Sequence, residues 1–381
     1  MKLGGITWWR NNYGSILQAY ALQSYLRNDL NQDYIIVNQY SKKMASTSNL
    51  INKLKEYGLV VTLKRLVGRF GLPKLRKRVG ALQKFVDNYL VTTEDVYDEN
   101  NIAKTNDLFD GFICGSDQIW NPSNTGLDSM YWLKFAKKDK AKIAYAPSIG
   151  IEEADDSLAK NIKENLKDFD CISSREKSGS NLINKIMGKE VCATVLDPTF
   201  LIKRENWDRL SEKRICEEQY IFAYILKGTK KERKVVENFA KKKGLKIVTI
   251  PFLDGEHLVP YDLKFGDVKL WEADPRDFIS AIRNAEYVFT DSFHCMVFSC
   301  FYHKVFYMFK KKGQSQMSRI KGLFDLLRIG DRIIDENMTN DQIEKKNDIC
   351  WDDVDLSIEK YKRVSQHYLE EAIERGNKKC C

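Results

Sequence analysis

Three stretches of the chain deliver polar groups directly after apolar runs, the arrangement by which strands present side chains to a ligand. Phe109-Asp110-Gly111-Phe112-Ile113-Cys114 leads into Gly115-Ser116-Asp117-Gln118-Ile119-Trp120-Asn121-Pro122. A turn accounts for Gly, Ser, Asp and Asn there. It does not account for Trp120 and Gln118, which are what a sugar needs: an apolar ring to stack on and amides for its hydroxyls. Tyr287-Val288-Phe289-Thr290 leads into Asp291-Ser292-Phe293-His294 and then into an apolar helix through Met296, Val297, Cys300 and Phe301. His294 thus stands at a helix start, where backbone N–H groups and the helix dipole favour phosphate or carboxylate and an imidazole can move a proton near neutral pH. The plainer alternative is that His294 caps the helix or satisfies Asp291. Cys171-Ile172-Ser173-Ser174-Arg175-Glu176 ends at an arginine whose planar fork can grip an anion, although Arg-Glu pairs are common on surfaces. Ser148-Ile149-Gly150 and Arg319 are candidates of the same weak kind. No P-loop, GxSxG, HExxH or GxGxxG pattern occurs, which removes several common enzyme classes.

The elements that position these residues alternate in type. The start, Leu3 to Trp8, Arg10-Asn11-Asn12-Tyr13-Gly14-Ser15 and the periodic Ile16, Leu17, Tyr20, Ala21, Tyr25 predict strand, turn and helix, with Gly14 letting the backbone turn closely. Further strands are expected at Tyr34–Val37, Phe109–Cys114, Lys142–Ala146, Cys171–Ser174 and Val191–Leu196, and a second series at Tyr220–Leu226, Leu245–Ile250, Tyr287–Thr290 and Val305–Phe309. Helices at Lys230–Lys243, Arg276–Ala285 and Asp355–Arg375 complete the pattern. Such alternation implies parallel sheets covered by helices, and 381 residues suit two domains of roughly 150 residues each. The expected class is therefore α/β: a Rossmann-like domain over 1–205, a second over 206–350, a central cleft, and a last helix over 351–381.

Composition narrows the function. The chain is 43% apolar and 30% charged, with seven prolines, so it should fold throughout. No apolar run is long enough to span a bilayer and the start lacks a signal-like segment, which predicts a cytoplasmic protein. Nine scattered cysteines imply no disulfide framework, and no Cys or His spacing suits zinc, so no metal is expected. The net charge of +9 resides in residues 51–84, where ten Lys/Arg face one acid. Leu54, Leu59, Leu63, Leu66, Val67 and Phe70 recur there at helical spacing, making a basic amphipathic insertion rather than a nucleic-acid reader. It reads either as a solvated helix face or as a peripheral contact with anionic lipid on the inner face of a membrane or with a lipid-linked glycan.

Asn12-Tyr13-Gly14, Leu17-Gln18-Ala19-Tyr20-Ala21-Leu22-Gln23, Gly115 to Asn121, Ser173-Arg175-Glu176, Val195-Leu196-Asp197-Pro198 and Thr290 to His294 occur in an order that resembles the polysaccharide pyruvyl transferases, over about Met1 to Arg328. The resemblance implies a two-lobed architecture similar to the GT-B glycosyltransferases, with the last helix packing back on the first domain. It also implies transfer of the pyruvyl group of phosphoenolpyruvate, as co-substrate and without another cofactor, to two hydroxyls of a glycan or lipid-linked glycan, forming a ketal and releasing phosphate. On it, His294 and Asp117 become catalytic candidates. Arg175, Asp291, Ser292 and Arg319 become donor-binding candidates, and Tyr13, Gln18, Gln118, Trp120 and Asn121 acceptor-binding ones. One departure matters. Several family members carry Arg where this chain has Ser292, two residues before the His, so Arg319, Lys310 or Lys311 would have to supply that charge. Two other functions fit the same layout: a GT-B glycosyltransferase using a nucleotide sugar, and a non-catalytic membrane-associated subunit of a glycan assembly complex whose working surface is 51–84.

Overall fold

The computed structural model describes residues 1–40, 73–251, 260–310, 314–346 and 348–380. The first sheet contains β1 (Lys2–Ile6), β2 (Asp33–Ile36), β3 (Gly111–Cys114), β4 (Ala141–Ala144), β5 (Cys171–Ser174) and β6 (Cys192–Thr194) in the order β2-β1-β3-β4-β5-β6. The second contains β7 (Tyr220–Tyr224), β8 (Lys246–Thr249), β9 (Val268–Lys269), β10 (Tyr287–Thr290), β11 (Val305–Phe309) and β12 (Ile333–Ile334) in the order β12-β11-β10-β7-β8-β9. Every pairing is parallel. The strands are nearly continuous apolar runs, as sheets covered on both faces require. Each order reverses once, between β1 and β3 in the first sheet and between β7 and β10 in the second, and such reversals open a crevice at the carboxyl ends of the strands.

The first-lobe helices are α1 (Tyr13–Ser24), α2 (Pro73–Tyr89), α3 (Pro122–Thr125), α4 (Asp156–Leu166) and α5 (Lys177–Met187). After α6 (Arg204–Leu210) follow α7 (Lys230–Lys243), α8 (Pro275–Arg283), α9 (Phe293–Phe301), α10 (Gln314–Leu327), α11 (Asn340–Glu344) and α12 (Trp351–Cys380). Their starts have local causes. Asn12 caps α1 by accepting from the N–H groups of Gly14 and Ser15, Ser292 caps α9, and Thr229 with Glu232 closes a capping box on α7. Gly244, at φ +66°, ends α7.

One apolar cluster runs across both lobes, with Tyr13 of α1 stacked on Phe278 of α8 at 5.1 Å and edge-on to Tyr224 of β7. The last helix returns to the first sheet: Ser365 donates the hydroxyl that orders itself on Tyr361 and accepts from Leu196 N–H, while the Tyr368 hydroxyl donates to the Ala144 carbonyl. Residues 51–72 of the basic insertion lie outside the described residues. In the described part the charge is not simply a solvated face. The buried Arg78 donates to the carbonyls of Pro251, Leu270 and Trp271, Lys77 pairs with Glu272 at 2.9 Å, and Lys74 lies over the Trp271 ring. These side chains tie α2 to the loops flanking the outer strands of the second sheet. Among the described residues no helix is long and apolar enough to cross a membrane, and the described cysteines are free thiols.

Candidate active site

The two crevices face each other across a single cavity of about 250 Å³. From the first lobe, Trp8 follows β1, Asn12 and Ser15 come from the start of α1, Asp117, Gln118 and Ile119 follow β3, and Arg175 follows β5. From the second, Leu226 follows β7, Ser292 to His294 lie at the β10–α9 junction, and Ile320 comes from α10.

The turn after β3 is shaped by its backbone. Gly115 has φ +116°, and a Cβ there would fall 2.0 Å from the Tyr145 carbonyl oxygen, so only glycine fits. Asp117, itself at φ +66°, is then turned toward α1, where its carboxylate accepts from the Ser15 hydroxyl and from the N–H of Gln118. Ser116 is fully buried and hydrogen-bonded to Gln18 and Ala146.

Arg175 and His294, from different lobes, meet on one carboxylate. Asp197, fully buried after β6, accepts from Arg175 Nη1 at 2.8 Å, and the same oxygen lies 3.4 Å from His294 Nε2, too poorly aligned for a hydrogen bond. The other carboxylate oxygen accepts from the N–H and hydroxyl of Thr199. Burial alone would raise the Asp197 pKa, but His294 and Arg175 more than offset it and hold the carboxyl well below the usual range. Burial likewise opposes the Arg175 charge, yet Glu176, Asp197 and Asp117 keep its pKa above the ordinary value. The guanidinium lies 4.3 Å from the Phe293 ring centroid, and its Nε, 3.5 Å from Glu176, makes no hydrogen bond. The other face of His294 rests on α1. A Cβ on Gly14 would sit 2.0 Å from His294 Nδ1, so the absent side chain at Gly14 is what admits the imidazole.

The cavity therefore gathers His294, Asp117, Arg175, Ser292 and Gln118 of the residues expected from the sequence. The others are placed as supports. Trp120 is fully buried, its ring covered by Trp132 at 4.5 Å and 2° and its indole N–H given to the Tyr131 carbonyl, so it offers no face to a ligand. Gln18 is fully buried and bonds Thr7, Trp8, Ser15 and Ser116. Tyr13 is buried in the lobe interface, its hydroxyl donating to Ala273. Asp291 accepts from the N–H groups of Leu226 and Lys227 and so fixes the loop after β7. Asn121 caps α3 and donates to Gln118. The backbone of Arg319 lies in α10, one residue before the cavity-lining Ile320, but its side chain, like all of Lys311, lies outside the described residues. Lys310 is exposed at the end of β11 and does not line the cavity. Asn12 and Ser15, at the first strand–helix junction where the sequence placed helix-capping types, and Asp197, within the Val195 to Pro198 stretch of the resemblance, also belong to the site, and Trp8 joins them unexpected. Trp8 carried the same signal as Trp120, an aromatic just past a strand. Among the described residues no cluster of His, Cys, Asp or Glu is arranged to hold a metal ion.

A family model described as polysaccharide pyruvyl transferase matches residues 12–310, which includes every cavity residue named above except Trp8 and Ile320. The chain belongs to the polysaccharide pyruvyl transferase family. Within this family member, the matched region carries both sheets' crevices and the shared carboxylate Asp197. No curated protein matches the sequence. Among solved structures, the chain is similar to the UDP-GlcNAc 2-epimerase from Methanocaldococcus jannaschii, with 11% identity, TM-score 0.52 and 91% of each chain covered. It is also similar to UGT89C1 from Arabidopsis thaliana, with 9% identity, TM-score 0.51 and coverage of 100% of this chain and 99% of that one. At such identities the likeness is one of fold, and it establishes the GT-B-type arrangement of the two lobes.

Proposed function

We propose that this transferase moves the pyruvyl group of phosphoenolpyruvate onto two hydroxyls of one sugar in a surface polysaccharide or its lipid-linked precursor, forming a cyclic ketal and releasing phosphate. The observation that carries the reading is the convergence of His294, Arg175 and Asp117 on one interlobe cavity in a member of this family. On this reading 1–205 is the acceptor side and 206–350 the donor side.

The balance is simple. The methylene carbon of the enol gains one proton, the adjacent carbon forms two C–O bonds to the sugar, the C–O bond to phosphate breaks, and the second hydroxyl proton leaves with the phosphate. His294 takes a proton from the first hydroxyl and supplies one to the methylene carbon. Its Nε2 lies 3.4 Å from Asp197, whose negative charge supports the imidazolium, and its Nδ1 side packs on the start of α1. The departing dianion is held by Arg175, by the Ser292 hydroxyl and by the N–H groups of Phe293 and His294 that open α9, the third first-turn N–H, of Cys295, being capped by Ser292. Asp117 accepts from the attacking hydroxyl beside Ser15. The protein works on the cytoplasmic side, where phosphoenolpyruvate is available, and 51–84 brings it to lipid-linked acceptors.

The test is phosphate release from phosphoenolpyruvate with a panel of galactosyl, mannosyl and mannosaminyl acceptors, beside His294→Ala. Acceptor-dependent release that disappears in the variant is expected. Absence of release, together with thermal stabilisation by a nucleotide sugar, would move the protein to glycosyl transfer.

A further inference from the structure

The chain has seven tryptophans, and all but one have a covered ring or a place away from the cavity. Trp120 and Trp132 stack on each other, and Trp207 is buried against Phe298 and Tyr20. Trp9 lies under the Arg10 guanidinium at 3.9 Å, Trp271 under Lys74, and Trp351 against His303 at 5.0 Å. Trp8 differs. It is partly exposed, packs one side on the first-lobe core, lines the cavity, and has no ring or cation stacked on it among the described residues.

The neighbours of Trp8 in the cavity are amides. Gln118 accepts through Oε1 from Asn121 and Asn124, which leaves its NH2 group as a donor, and the exposed Asn124 keeps its carbonyl as an acceptor. The charge lining this part of the cavity is the Asp117 carboxylate, while the nearest lining cation, Arg175, is already held by Asp197 and Glu176. An apolar ring, one amide donor, one amide acceptor and a negative neighbour suit the face and hydroxyls of an uncharged sugar, and repel an acidic one.

We propose that Trp8, with Gln118 and Asn124, is the platform on which an uncharged sugar ring of the acceptor stacks. Calling that sugar the acceptor rests on the pyruvyl-transfer reading, but its binding does not. The test is direct binding of the full chain to an array of glycans ending in galactose, mannose, N-acetylmannosamine or glucuronate, repeated with Trp8→Ala and Trp8→Phe. The expected result is selective binding of neutral ends, weakened about tenfold or more in Trp8→Ala and less than about threefold in Trp8→Phe. The melting temperature of the ligand-free chain should be unchanged in both variants, which separates a lost platform from a misfolded chain. Unchanged glycan binding in Trp8→Ala, no wild-type binding to any neutral end, or preference for glucuronate overturns the proposal. Platform-dependent binding without any phosphate release from phosphoenolpyruvate would support the platform and remove pyruvyl transfer. Phosphate release with no effect of Trp8→Ala on binding would do the reverse.

Discussion

Replacing Gly14 by alanine puts a methyl group where the His294 imidazole now lies. The added carbon would sit 2.0 Å from Nδ1, 2.4 Å from Cγ and 2.7 Å from Cε1, whereas ordinary contact begins near 3.4 Å, so the ring must retreat by about 1.4 Å. The far side of the ring already faces Asp197 at 3.4 Å, so the retreat cannot be a simple translation away from α1 and the imidazole has to tilt out of its place between helix and carboxylate. Misplacing a catalytic group by about 1 Å costs roughly a hundredfold in rate. The backbone pulls the other way: Gly14 lies in the first turn of α1 without a positive φ, and alanine there favours the helix by up to about 1 kcal/mol. Gly14→Ala should therefore lower kcat for acceptor-dependent phosphate release about a hundredfold while its melting temperature stays near that of the parent. Steady-state kinetics beside thermal denaturation measures both. A variant with parental kcat would refute the placement of His294 as the proton carrier, and one that simply unfolds would refute the claim that the clash falls on a movable side chain.

Asp197→Asn tests the carboxylate that joins the lobes. It leaves the buried Arg175 guanidinium with one charged partner fewer, and should destabilise the protein by about 3–5 kcal/mol at neutral pH in denaturant titrations. Because the folded pKa of Asp197 is depressed, its contribution is complete above the unfolded value of about 3.9 and is lost as pH falls through the folded value. The gap between parent and variant should accordingly stay constant from pH 7 to about 5 and close only well below pH 4. In α2, Arg78→Ala should cost about 3 kcal/mol, since three carbonyls lose a charged donor, while Lys77→Ala, whose ion pair is more than half exposed on both sides, should change stability by less than about 0.5 kcal/mol. Equal effects of the two in the same denaturant titration would mean that α2 is not fixed to the second lobe through Arg78.

The legible parts of the chain are those whose cause is local. β5, β10, β11 and α7 have the bounds that their apolar runs and caps predict, because each ends at a turn residue or cap adjacent in sequence. The two-residue strands β9 and β12 escape such reading, since two residues carry no period and their pairing is set by the neighbouring strand. The same contrast separates the site residues. His294 and Asp117 were recognisable as polar groups at strand ends. Trp8 and Trp120 give the same local signal, and what distinguishes them is Trp132, which folds over one of them and not the other. Asp197 lies in the Val195 to Pro198 stretch of the resemblance, but its role comes from Arg175 and His294, which only the fold brings to it.

The serine at position 292 gains meaning from this arrangement. Where the family resemblance implies a cation on the second lobe, this chain has a hydroxyl that caps α9, and the exposed Lys310 does not line the cavity. The described cation that lines the cavity is Arg175, which belongs to the first lobe yet stacks on Phe293 of the second. Anion binding under the proposed function would then require the lobes to be together: the guanidinium comes from one side and the helix N-terminus from the other. A donor held in this way stabilises the closed arrangement of lobes by the difference in its affinity for the closed and open forms. Asp197, already shared between Arg175 and His294, makes the same link within the protein before any donor arrives.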